Sequence, residues 1–382
     1  MTIDVRLWFL PGGCLAYVFF LINTNLRESL TVLKNAQQLV ILCLSPLGDT
    51  IFATPAIRAL RGKFPEARIV VLASAAAAQV LKYNPWQLEI RLVRDKWELI
   101  KRLAQIRKEK FDIALSLSQL GGFFTRFCGT PVWSDFVRAH ELVSLQQNRS
   151  VVEMCQDVLR KINISCNEQQ TEFFYDPHAE QVIELFLRGT SHQNGKRIIA
   201  IHAGGHYFVR KRWPLSNFIG IIQHFVYTLG FQVVLVGGQE DVEDAFMIKS
   251  VVPEVISAVG LLKLGETAAL LKKADLFIGN DSGPLHLAAA VHVQTIGLFG
   301  PTSPCQFYPY HSPGHIKIYK GLSCSPCYRF GGGIWQYVPR CTKAYCMQAI
   351  TADELMVQAM KMLTWEKGDQ RGWLYAGRTQ GS

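Results

Sequence analysis

From residue 38 onward the apolar positions come in blocks. Leu39 to Leu44 (LVILCL) is an unbroken apolar run, the pattern of a parallel strand covered on both faces. A loop, SPLGDT, follows, and from Ile51 to Leu60 apolar residues recur at helical spacing. Arg68–Ala73 (RIVVLA), Glu89–Val93 and Phe111–Ser116 (FDIALS) read as further strands, with helical stretches between them, notably Trp97–Lys110. Ser150–Ile162 reads as a helix, and a polar stretch then leads to the best linker candidate, HQNGKR at 192–197.

The rhythm restarts there. Arg197–His202 (RIIAIH) and Phe231–Val236 (FQVVLV) are predicted strands, with a helix over Asn217–Leu229 between them. Helices are expected over Glu240–Lys249, Thr267–Lys273 and His286–Ala290, and strands over Asp275–Ile278 and Thr295–Phe299. Strands alternating with helices imply parallel sheets. Two such halves give an α/β chain of two Rossmann-like domains, with the strand C-termini of both on either side of one cleft. The segments are an apolar extension over 1–35, a first domain over 36–190, a second over 196–350, and a C-terminal helix and tail over 351–382.

The extension carries an apolar stretch, Leu7–Ile22, interrupted by Pro11, Gly12 and Gly13. It is short of the roughly 20 residues that span a bilayer. Met1–Arg6 holds one arginine and one aspartate, and no small-x-small cleavage site follows. An untidy extension, a membrane-surface anchor and an export signal all stay open.

A length of 382 residues suits two domains, and 49% hydrophobic with 18% charged residues excludes a disordered chain. The net charge of +10 favours a polyanionic partner: nucleic acid, anionic lipid or a phosphorylated glycan. No helix-turn-helix, RRM or zinc-finger pattern is present, so nucleic acid is not expected. The ten cysteines do not form the framework of a small secreted protein, and a reducing cytoplasm is the expected setting.

Four motifs could carry chemistry. In SPLGDT, Asp49 follows Gly48 at the end of the first strand, where it is either a helix cap or a general base in the cleft. In HAGG…KRWP, Gly204 and Gly205 leave backbone N–H groups open to a phosphate, and Lys211 and Arg212 add positive charge. In IGNDSGPLHLAAA, Asp281, Ser282 and Gly283 join a strand to a helix whose N-terminus offers a partial positive charge, with His286 on the same turn; an FGPT loop follows. Last, Cys324, Cys327, Cys341 and Cys346 are either a structural zinc site or free thiols at the rim. The first strand lacks the G-x-G-x-x-G of a dinucleotide-binding dehydrogenase.

In this order the motifs resemble those of glycosyltransferase family 9, the ADP-heptose:lipopolysaccharide heptosyltransferases. The likeness runs from about Leu39 to Ile350 and includes LGDTIFATPAIRALR, KRWP, LVGG, NDSGPLHLAAA and FGPT. The late cysteine set also looks like one found in many members. The resemblance implies the GT-B fold, the acceptor on the first domain and the nucleotide sugar on the second. It implies an inverting transfer of a heptose or related sugar from an ADP-sugar to a lipopolysaccharide-core or other surface glycan, with Asp49 as base. Lys211 matches the family lysine on the donor phosphates, and Asp281, Ser282, Gly283 and His286 match its donor-binding block. Gly204 and Gly205 stand where some members have threonines. Glu240, or its neighbour Asp241, matches the acid that holds the ribose hydroxyls. No cofactor is required. The expected partners are the nucleotide sugar, an anionic lipid-linked acceptor and the membrane surface, at the cytoplasmic face of the inner membrane. A family member using another nucleotide sugar and a non-catalytic nucleotide-binding protein are the alternatives.

Overall fold

A computed structural model describes residues 33, 35–118, 122–135, 149–193, 195–205, 209–308, 310, 313–331, 334–337, 341 and 343–364. The apolar stretch Leu7–Ile22 and the tail after residue 364 lie outside the described residues. Among the described residues no helix is long and apolar enough to cross a membrane.

The first sheet has the order β3-β2-β1-β4-β5, from β1 (Gln38–Cys43), β2 (Arg68–Ala73), β3 (Leu88–Leu92), β4 (Ile113–Ser116) and β5 (Val132–Asp135). All its pairings are parallel. The unbroken apolar run of β1 has a direct cause. Leu39, Ile41 and Cys43 enter one apolar cluster, while Val40 and Leu42 enter another on the opposite face.

The helices of this half are α1 (Leu47–Lys63), α2 (Ala75–Leu81), α3 (Lys96–Glu109) and α4 (Val151–Arg160). A capping box of Ser150 and Glu153 opens α4. Pro55 lies inside α1, where it cannot bond the Ile51 carbonyl. The Thr54 hydroxyl donates to that carbonyl instead, at 2.7 Å.

The next helix, α5 (His178–Arg188), falls in what the sequence reading left as a polar stretch. Only Ala179, Ile183 and Leu187 are buried there, a narrow i, i+4, i+8 stripe, and α5 packs on α8 (Leu264–Lys273) of the second half. Between them in the chain come α6 (Leu215–Gln223) and α7 (Val242–Val251), and after them α9 (Gly283–Ala290) and α10 (Ala352–Thr364).

The second sheet has the order β11-β10-β9-β6-β7-β8 and is also parallel. Its strands are β6 (Ile198–His202), β7 (Gln232–Leu235), β8 (Ile256–Ser257), β9 (Leu276–Asn280), β10 (Thr295–Phe299) and β11 (His315–Tyr319). A hairpin, β12 (Tyr328–Gly331) and β13 (Ile334–Tyr337), stands apart from both sheets.

In each sheet the strand order reverses once, between β1 and β4 and between β6 and β9. Those switch points are where ligands of open α/β sheets bind. The loop after β1 leads into α1, and the turn after β9 leads into α9. The two helices pack against each other across the space between the sheets, and one apolar cluster runs from the first sheet into the second.

Candidate functional site

Asp49 is the third residue of α1. The cap is Pro46, so the cap alternative for Asp49 is not the one the chain adopts. Its helix turn lies against the second domain. A Cβ at Gly48 would sit 2.8 Å from His286 Cδ2, so only a glycine lets α1 approach that closely. Reciprocally, Gly283 makes room for Leu47. Phe52, one turn on, stacks at a tilt on the His286 ring with centroids 4.5 Å apart.

This crowding sets the charge on Asp49. Desolvation raises its carboxyl above the usual range, His286 and Lys211 pull it back, and Asp281 adds a like-charge push. A carboxylate so placed is a better proton acceptor than one in water.

Opposite it, Lys211, Asp281, Ser282 and His286 form a connected array. Lys211 Nζ lies 2.8 Å from Asp281 Oδ2, and His286 Nε2 lies 3.4 Å from Asp281 Oδ1. Burial pushes the Asp281 carboxyl up, but the Lys211 and His286 charges outweigh burial and hold it well below the usual carboxylate range. Ser282 is the N-cap residue of α9. Its hydroxyl donates to the Asn280 carbonyl at 3.0 Å and meets His202 Nδ1 at 2.9 Å. The sequence reading had no role for Asn280. Its amide joins the loops after β6 and β9, donating to the carbonyls of Ala203 and Gly204 and accepting from the Trp213 N–H. Arg212 pairs with Asp244 of α7, so it is tied to the scaffold, while Lys211 faces the cluster.

The structure separates Glu240 from Asp241. Asp241 is buried and serves the fold. Its carboxylate meets His202 Nε2 at 3.1 Å and accepts from the Gly238 N–H at 3.0 Å. Burial opposes its ionisation, but His202 and the N–H groups of Gly238 and Gly205 together hold its pKa below the usual value. Glu240 is exposed on the strand-end turn, where its carboxylate closes over Gly238.

Gly204 is fixed by the same hub, because a Cβ there would sit 1.7 Å from Asp241 Oδ1. Gly204→Ala is expected to cost about 1–3 kcal/mol, since the carboxylate must leave its partners to make room. Gly220→Ala, with nothing within 4 Å of the added carbon, is expected to hold or raise stability. Urea unfolding of both variants checks this.

Two aromatic residues reach the site without having been singled out in the sequence. The Tyr310 hydroxyl lies 3.3 Å from His286 Nδ1, and Lys211 Nζ is 5.5 Å from the Tyr328 ring centre. Burial raises both phenols, so they stay neutral. Their signal was too weak to read, since Tyr310 lies between elements and Tyr328 opens a hairpin strand of only four residues.

The FGPT loop is a scaffold. The Pro301 carbonyl accepts from the N–H groups of Cys327 and Tyr328, and the Ser325 hydroxyl donates to the Gly300 carbonyl. The four late cysteines lie within electrostatic range of one another, and their surroundings differ. Cys324 is exposed, Cys346 is buried against Gly300, and the Cys341 thiol accepts from the N–H groups of residues 343–345. Among the described residues no group of three or more His, Cys, Asp or Glu is arranged to hold a metal ion. No step below is routed through one.

With this geometry in hand, comparison with known proteins is informative. The family model described as Glycosyltransferase family 9 (heptosyltransferase) matches residues 99–331. The lipooligosaccharide heptosyltransferase 2 of Campylobacter jejuni is 24% identical over 322 residues, which is 83% of this chain and 95% of that one. A glycosyl transferase family 9 structure from Veillonella parvula superposes with a TM-score of 0.68 at 22% identity, covering 86% of this chain and 97% of that one. The structure of an Escherichia coli ADP-heptose lps heptosyltransferase II gives a TM-score of 0.63 at 19% identity, covering 85% and 98%. The shared fold is GT-B.

Proposed function

The chain belongs to glycosyltransferase family 9, a family of sugar-transferring enzymes, and we propose that it moves a heptose from ADP-heptose, with inversion, to the core of a lipopolysaccharide or a related surface glycan. One observation carries this reading: a carboxylate raised by burial, Asp49, faces a turn built from the Lys211 ammonium, the His286 imidazole and the N-terminus of α9. Sugar transfer develops positive charge at the anomeric carbon and negative charge on the departing diphosphate. Lys211 and the α9 N–H groups would stabilise the diphosphate. Asp49 would take the acceptor's proton as its oxygen attacks the opposite face of the sugar. Protein cations can neutralise the leaving group in this scheme, so it requires no metal.

Exposed Glu240 would hold the ribose hydroxyls, with Asp241 keeping the loop in place behind it. Gly204 would offer its backbone N–H where a side-chain hydroxyl has no room, while the Gly205 N–H is held by Asp241. The donor is that of the Escherichia coli neighbour, an ADP-heptose lps heptosyltransferase. The basic charge of +10 suits an anionic, lipid-linked acceptor, and we place the enzyme at the cytoplasmic face of the inner membrane.

Purified enzyme incubated with a panel of ADP-, UDP- and GDP-sugars and an acceptor extract is expected to release ADP alone, and ADP-heptose is expected to protect it against heat unfolding. Release of UDP or GDP instead would assign the fold to another donor. Nucleotide binding without any release would leave a binding protein.

A further inference from the structure

We propose that the outer face of α3 is a docking surface for an anionic lipid bilayer, a reading that rests on the acceptor being lipid-linked. The helix has two unlike faces. Leu99, Leu103 and Ile106 are buried on Val40, Leu42, Val70 and Leu72 of the first sheet. The opposite face carries Trp97, 70% exposed, and Ile100, 54% exposed. They are three residues apart and so adjacent on the helix. Folding gives no reason for two large apolar side chains there, and an exposed apolar pair rimmed by charge marks an interaction site.

The rim is basic. Lys96, Lys101, Arg107, Lys108 and Lys110 are all exposed. The acids among them are already engaged. Glu98 pairs with Arg94 and Arg102, and Glu109 pairs with Arg68 and Arg91. The Asp95 carboxylate caps the helix by accepting from the N–H groups of Trp97 and Glu98, which fixes the first turn in place. Beside α3 packs the 3-10 turn Gly122–Cys128, on which Arg126 and Phe127 are also exposed.

Tryptophan at a polar–apolar boundary with lysines around it is the composition of a membrane-surface element, in which apolar insertion and attraction to anionic lipid act together. The placement of α3 favours a bilayer as the occupant. The N-terminus of α3 follows the C-terminal end of β3, the end of the sheet that also carries Asp49, so a lipid-linked acceptor would be held beside the cleft mouth. The backbone N–H groups of Gln37 and Gln38 donate to Asp112, two residues past Lys110. The described start of the first domain, just ahead of β1, is therefore pinned beside the basic end of the same helix.

The test is flotation of the full-length protein with vesicles of phosphatidylcholine alone or of equal parts phosphatidylcholine and phosphatidylglycerol. Binding is expected to the mixed vesicles, to weaken with salt, and to fall about tenfold or more in Trp97→Ser/Ile100→Ser and in Lys101→Glu/Lys108→Glu. Equal flotation on pure phosphatidylcholine, or variants that float like the parent, overturns the proposal. So does loss of all flotation in the full-length variant Phe19→Glu/Phe20→Glu, which would assign the contact to the N-terminal extension. A preference for oligonucleotide or an acidic protein over anionic vesicles also overturns it. Heat protection by ADP-heptose is expected to be unchanged in the α3 variants. If that protection is missing in the parent while flotation follows α3, the donor reading fails and the docking surface stands.

Discussion

Asp49→Asn is expected to lower turnover by about 10²–10⁴-fold, to leave ADP affinity unchanged, and to raise thermal stability at neutral pH. The loss of turnover follows from removing a base that acts only as the acceptor proton moves. The retained affinity follows from geometry, since the side chains proposed to hold the donor come from the second domain and Asp49 comes from the first. The gain in stability follows from the direction of its pKa shift. Burial raises the Asp49 carboxyl in the folded state. A group raised in this way contributes stability that is complete below the ordinary carboxylate range and is lost as pH rises through the folded value. At neutral pH the ionised side chain is therefore held at a cost, and asparagine relieves it. The difference in melting temperature between parent and variant is expected to close as the solution is acidified. The parent's rate is expected to fall on acidification through the same raised pKa, because the base must be ionised to act. ADP release, calorimetry with ADP and thermal melts read the three effects. Turnover that survives the substitution would remove Asp49 from the reaction. ADP binding lost together with turnover would place Asp49 on the donor instead.

The same carboxylate shows where sequence reasoning stops. Both a helix cap and a cleft base call for an aspartate at a strand–helix junction, and spacing cannot separate them. What separates them is Pro46 as the cap and His286 packed against Gly48, a contact between residues more than 200 positions apart. The strands β1, β2, β6 and β9 were legible because both faces of each are buried, which writes an unbroken apolar run into the chain. Strand β5 was not, because Val132–Asp135 is four residues long and half polar. Strand β8 has only two residues. Asp241 and Glu240 are neighbours after one strand, and nothing local says which one turns inward. The answer lies in His202, 39 residues upstream. The spacing of Cys324, Cys327, Cys341 and Cys346 leaves zinc and free thiols both open, and it does not encode that Cys346 packs on Gly300 or that the Cys341 thiol accepts from the N–H groups of residues 343–345.

Lys211→Ala is expected to weaken ADP binding by about 10–100-fold and also to destabilise the fold, and the two effects can be separated. A charge-assisted contact to a phosphate is worth about 1.5–3 kcal/mol, which sets the loss of affinity. The loss of stability comes from Asp281. Its side chain is 3% exposed and bonded to the Lys211 ammonium. Removing that ammonium leaves a buried carboxylate facing His286, an arrangement that typically costs about 3–5 kcal/mol. The pH dependence has a definite sign. Asp281 is held below the ordinary carboxylate range, so its contribution is present above that range and is lost as pH falls through the folded value. In the variant that contribution shrinks at neutral pH, and the parent and variant converge in acid. Lys211→Ala/Asp281→Asn removes the stranded charge, so it is expected to recover most of the stability in urea unfolding while ADP affinity stays low in calorimetry. The double variant is the decisive protein because it folds without supplying the cation. If it binds ADP as the parent does, the diphosphate is held elsewhere, and the turn from Asn280 to His286 serves the fold.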